Sequence, residues 1–166
     1  MPIKVYTKTK EEPVLNLVTR EEWEGKPPLP NGPQLEHPIS IVRYSHTYTF
    51  ECFNQVDCSR WMRRIQRAHM EQNKVDIQFN FLIGSDERIY EGAGWYADCW
   101  KPPELRHLHK KCLDIAYLGN YTISYPEKEL QDLAKKIIDY GVFHNYMTPR
   151  VKILRITDPD CTIIDN

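Results

Sequence analysis

Cys99, His107, His109 and Cys112 fall within one short stretch, and thiolate and neutral imidazole are the ligands of tetrahedral Zn²⁺ sites. Competent residue types must still reach the corners of one tetrahedron. The competing arrangement asks less of the chain: Cys99 bonds to Cys112, and His107 and His109 stay exposed among Arg106, Lys110 and Lys111. A second group of residues suits recognition rather than reaction. It is Asp76-Ile77-Gln78-Phe79-Asn80-Phe81-Leu82-Ile83-Gly84, followed by Ile89-Tyr90-Glu91-Gly92-Ala93-Gly94-Trp95. An apolar strand ending at Gly84, a polar turn at Ser85-Asp86-Glu87 and a Gly-x-Gly-Trp corner describe a hairpin with large amphipathic side chains on its rim. No acid pair, thiol–base pair or intact metal-ligand set accompanies it.

The elements that must position these residues follow from periodicity. Ile39-Ser40-Ile41-Val42-Arg43-Tyr44 reads as the first firm strand, after an opening third rich in turn formers. Within that third, Thr19 stands three residues before Glu22 as in a capping box, but Gly25, Pro27 and Pro28 stop any helix there. Residues 59–73 read as a helix, with Trp61, Ile65, Ala68 and then His69 or Gln72 at helical spacing and Arg60, Arg63, Arg64 and Arg67 on solvated faces. Strands are expected over 77–83, 88–91, 113–118 and 151–154. A long loop is expected over 95–111, and a second helix after Pro126 with Gly141 as its C-cap. Strands separated by helices predict an α/β layer fold, a central, mostly parallel mixed sheet flanked by helices.

Composition narrows the partners. The 166 residues, 41% hydrophobic, suit one domain, and 22 basic against 23 acidic residues give a formal charge of −1, with no field to draw nucleic acid. No run approaches the roughly 18 apolar residues of a membrane span, and the N-terminus does not open a signal peptide. Cys52 and Cys58 bracket a short polar loop before the first helix, where a disulfide would fix the loop's shape and imply an oxidising, extracellular setting; the alternative is a reduced protein with buried thiols. A Cys99–Cys112 bridge would leave Cys161 unpaired, and other pairings are open.

Taken in order, several motifs resemble the peptidoglycan recognition proteins, whose fold is shared with the zinc-dependent type 2 N-acetylmuramoyl-L-alanine amidases. They are Ser45-His46-Thr47 before Cys52 and Cys58, Ile65-Gln66-Arg67-Ala68-His69-Met70, residues 76–84, Tyr90 to Trp95, Leu118-Gly119-Asn120-Tyr121, and Gly141-Val142-Phe143. The resemblance implies one domain over 1–166 with a family-type N-terminal segment at about 1–36, and a groove on one side of the sheet. It also implies a lost zinc site. Ser45 stands where catalytic members carry the first histidine ligand, Ile156 at the second and Ile164 at the cysteine ligand, while Phe79 replaces a tyrosine beside the scissile amide. No cofactor is then expected, and without a metal there is neither acidified water nor a Lewis acid.

Ligand recognition is altered as well. Positions that read a diaminopimelate-type stem peptide fall on Asn73-Lys74 and Thr157, and a lysine lacks the bidentate fork of arginine. Any residual groove would use His46, Thr47, Lys74, Tyr90 and Trp95, each with an ordinary structural role as its rival. Trp100, Arg106, His107 and His109 are candidates for protein contact. The resemblance therefore implies a noncatalytic ectodomain of a membrane-anchored receptor. It would regulate insect-type innate immune signalling as a decoy or negative regulator, through a related receptor, and bind peptidoglycan fragments weakly or not at all. A direct peptidoglycan receptor is the alternative, and a zinc amidase the third reading.

Overall fold

The computed structural model describes residues 2–155, so Ile156, Thr157, Cys161 and Ile164 lie outside the described residues. In chain order the elements are β1 (Ile3–Val5), β2 (Leu17–Val18), β3 (Ile39–His46), α1 (Gln55–Glu71), β4 (Phe81–Ile83), β5 (Ile89–Glu91), a 3-10 helix (Pro103–Leu108), β6 (Cys112–Tyr117), α2 (Lys128–Phe143) and β7 (Met147–Leu154). The strands form one mixed sheet ordered β1-β7-β3-β6-β4-β5-β2. Parallel pairing joins β3 to both β6 and β7, β4 to β6, and β2 to β5; only β1–β7 and β4–β5 are antiparallel.

The two-residue period of a strand sends its side chains to two cores. Leu113, Ile115 and Tyr117 of β6, with Phe81 and Ile83 of β4, pack against Leu130, Ala134, Ile137 and Ile138 of α2. Their neighbours Ala116 and Leu82, with Leu118 just past β6, face Cys58, Met62 and Ile65 of α1 on the other side. A small third cluster joins Ile41 and Cys112 to Leu105 and Leu108 of the 3-10 helix. That helix lies inside the stretch expected to be a loop.

Helix α1 starts four residues earlier than its periodicity suggests, because the Asn54 side chain accepts a hydrogen bond from the Asp57 N–H at 2.8 Å and caps it. The strand expected over 77–83 pairs only at Phe81–Ile83. Upstream, side chains take the backbone donors: Ile77 N–H donates to Asp76 Oδ1 and Gln78 N–H to His69 Nδ1. Gly141 does not cap α2; it lies within the helix, which runs on to Phe143. A Cβ there would meet the Trp95 ring and Met147 Cγ at 2.8 Å, so the glycine serves close packing. The expected capping box does form, reciprocally, between Thr19 and Glu22, but it closes only a turn.

Candidate ligand groove

Where the end of β3 meets α1, a cavity of about 290 Å³ opens, lined by His46, Thr47, Trp61, Arg64, His69 and Phe79 among others. Two short connections position the β3 side. Thr47 N–H donates to the Tyr117 carbonyl at 2.9 Å, and its hydroxyl accepts from Gly119 N–H at 3.1 Å and bonds Thr49 at 2.7 Å. The Cys52–Cys58 disulfide ties the loop after β3 to the first turn of α1, as the spacing of the two cysteines implied, and a bond of this kind belongs to an oxidising, extracellular setting. Helix α1 then supplies the wall, with the Arg64 guanidinium 5.2 Å from the centre of the Trp61 ring, a cation–π contact at the exposed rim.

Each of the two histidines of the cavity has a backbone N–H at its Nδ1. His46 Nδ1 accepts from the Tyr121 N–H at 3.1 Å, and His69 Nδ1 accepts from the Gln78 N–H at 2.9 Å. With Nδ1 occupied as an acceptor, the neutral ring carries its proton on Nε2. Burial lowers the pKa of His46, and burial together with the Lys74 charge lowers that of His69 to about 4, against a weaker opposing pull from Asp76. Both rings are held towards the neutral form; His69 then carries its proton on Nε2, whereas at His46 a hydrogen bond to the Gly119 backbone opposes the effect of burial, and the buried Nε2 has no hydrogen-bond partner among the described residues. A neutral Nε2–H suits a ligand carbonyl or hydroxyl oxygen. A metal-binding histidine has the opposite polarity, donating its other N–H to an acceptor and leaving a lone pair for the ion.

The remaining residues do not fit zinc. Ser45 pairs in register with Ala116, faces the α1 side and offers a buried hydroxyl, a poor substitute for imidazole. Phe79 lines the groove without a hydroxyl, its ring 5.7 Å from that of His69. Among the described residues no three His, Cys, Asp or Glu side chains converge to hold a metal ion.

The structure also relocates several expected site residues. Tyr90 is fully buried in the α1 core and its hydroxyl donates to Asp86, so it does not line the cavity. Trp95 lies on the α2 side, packed on Phe81, Tyr140 and Tyr146. Lys74 holds its ammonium 5.7 Å from the centre of the Trp100 ring, outside the cavity. Trp100 is thus partly covered, and its backbone N–H donates to Gln78 Oε1 at 2.7 Å. Asn80 is a register latch: its amide donates to the Gly94 and Ala97 carbonyls and accepts from Asp114 N–H, all at 2.8 Å.

The expected Cys99–Cys112 bridge does not form; both are buried free thiols. Burial, with the Asp114 carboxylate, raises both thiol pKa values. Beside them the buried Lys101 ammonium donates to the Cys99 carbonyl at 2.8 Å and to Asp114 at 2.5 Å, and Asp114 also pairs with Arg43 at 3.4 Å. Burial is the largest influence on that ammonium and disfavours it, but Asp114 together with Cys112 and Cys99 offsets it and the Lys101 pKa rises. His109 turns to Asp98 at 3.3 Å while His107 is exposed, so the four zinc-competent residues serve different contacts. Trp61, Arg64 and His69 were missed as groove residues because helical spacing assigns them to faces of α1 without saying what the helix lies over.

A mixed sheet with helices on both faces and a small cavity walled by α1 sets the class of fold. No family model matches the chain. Peptidoglycan-recognition protein 1 of Holotrichia diomphalia is 32% identical over 139 residues, spanning 83% of this chain and 68% of the relative. Among solved structures, the ectodomain of the Drosophila transmembrane receptor PGRP-LCa superposes with a TM-score of 0.76 at 27% identity, covering 83% of each chain. A complex of tracheal cytotoxin with the ectodomains of PGRP-LCa and PGRP-LCx matches with a TM-score of 0.77 at 25% identity, covering 84% of this chain and 82% of that one. This chain belongs to the peptidoglycan recognition protein family.

Proposed function

We propose that the chain is a single noncatalytic recognition domain, the ectodomain of a membrane-anchored receptor, which regulates innate immune signalling by associating with a related receptor ectodomain. The observation that carries the loss of catalysis is that, among the described residues, no three His, Cys, Asp or Glu side chains converge to hold a metal ion. Ser45 and Phe79 at the ligand and tyrosine positions support the same reading, as do the isoleucines at 156 and 164 in the sequence. Association is supported by the likeness to a solved complex of two related ectodomains. The test is a pull-down of related receptor ectodomains with and without soluble muropeptide. Capture without muropeptide is expected, and failure to capture any of them contradicts the proposal.

A second reading, direct peptidoglycan binding, is favoured by one feature: the groove is open, and Arg64 and Trp61 stand at its rim. Calorimetry separates the two. Weak or absent heat with a diaminopimelate muropeptide supports the degenerate groove, and a specific micromolar complex supports the direct receptor.

A further inference from the structure

Away from the groove, the segment around the 3-10 helix and strands β3 and β7 line a cavity of about 470 Å³ that gathers positive charge from two separate parts of the chain. Lys110 and Lys111 bring ammonium groups from just beyond the 3-10 helix and Lys152 one from β7, and the His107 ring lines the same cavity. None of these four side chains has an ion-pair or hydrogen-bond partner among the described residues. Some cations elsewhere are paired, Arg20 with Asp76, Arg43 and Lys101 with Asp114, Arg63 with Glu24, and Arg88 with Asp86, but what sets this group apart is its convergence on one cavity. Glu36 is the one carboxylate among the described residues of the lining, whose three lysines outnumber it although the chain as a whole carries −1.

The backbone positions of the lysines are fixed. Leu108 is buried, Lys111 N–H donates back to its carbonyl at 3.0 Å, and Glu36 N–H donates to the Lys110 carbonyl at 2.8 Å. Lys152 is fixed by pairing with Ile41 on one side and Ile3 on the other. Three ammonium groups on a concave surface repel one another until a counter-charge enters, and lysine is a point-charge donor well suited to phosphate-like oxygens. The Ser40 hydroxyl in the same lining adds a neutral donor.

We propose that this cavity is a binding site for a multiply charged oxyanion, a phosphate or sulfate ester. The site is independent of the groove and of the proposed receptor role. The test titrates the purified full chain, observed by amide NMR, with inorganic pyrophosphate in one arm and a sulfated heparin oligosaccharide in the other. Saturable shifts at residues 107–111 and 152 are expected, weakening as salt screens the exposed charges. The double variant Lys111→Gln/Lys152→Gln, at surface positions, is expected to keep its thermal stability and lose roughly tenfold in affinity. Saturation by pyrophosphate alone assigns a phosphate ester, by the oligosaccharide alone a sulfate ester, and by both a general oxyanion site. Absence of saturable shifts with either probe, or undiminished binding by the double variant, overturns the proposal.

Discussion

The Arg20 guanidinium grips both carboxylate oxygens of Asp76, at 2.8 and 2.6 Å, and so fastens the N-terminal segment to the chain behind the groove. The same arginine donates to the Lys26 and Gly92 carbonyls, and Asp76 also accepts from Gln66 and the Ile77 N–H. The pair is thus part of a wider hydrogen-bonded network, in a setting where Asp76 is buried. Arg20→Ala leaves that carboxylate without its partner and is expected to cost about 3 kcal/mol in unfolding free energy, measured by urea denaturation. A change within about 0.5 kcal/mol would show the pair to be an ordinary surface contact.

Gly141 offers a test of packing against propensity. Alanine in a helix is favoured over glycine by about 1 kcal/mol. At this position, however, the new methyl would meet the Trp95 ring and Met147 at 2.8 Å, closer than real side chains approach. Gly141→Ala is expected to destabilise by about 1–3 kcal/mol net, read from chemical denaturation. Stabilisation would mean that Trp95 moves freely.

His69 should make the domain acid-sensitive in a defined window. Its pKa is lowered to about 4, first by burial and then by Lys74, whereas an unfolded chain titrates near the ordinary histidine value of about 6.5. A group depressed in the folded state binds its proton first in the unfolded state, so stability falls as pH drops from about 6.5 towards 4 and is fully regained above that range. Between pH 7.5 and 4.5 the loss from this residue is about 2–3 kcal/mol. Comparing denaturation midpoints of the parent and His69→Gln isolates it, and the ring's NMR titration should centre near 4. A midpoint near 6.5 would place the ring in water.

Much of the architecture was legible because burial imposes periodicity. The strands at 39–46, 81–83, 89–91 and 112–117 and both helices appear where alternating or helical apolar spacing puts them. Strands β1 and β2 were not legible, being too short to display a period. The Arg20–Asp76 pair spans 56 residues, a distance over which spacing carries no information. His46 and Thr47, which line the cavity, were singled out through the family resemblance and not from strand periodicity, which ended at Tyr44, and Tyr90 and Trp95 were assigned to the rim when they pack into the two cores. Alternation tells which residues share a face of the sheet and not which element covers that face. The same gap hid Trp61, Arg64 and His69, whose role exists only once α1 lies across the sheet.

The absence of catalysis can be assayed as zinc-dependent hydrolysis. The purified domain is incubated with Zn²⁺ and soluble muropeptide, products are resolved by mass spectrometry, and metal content is measured after dialysis. No release of stem peptide and no retained zinc are expected, because Ser45 replaces a ligand and, among the described residues, no three His, Cys, Asp or Glu side chains converge to hold a metal ion. Cleavage that is abolished by a chelator and restored by zinc would show instead that the domain is a working amidase.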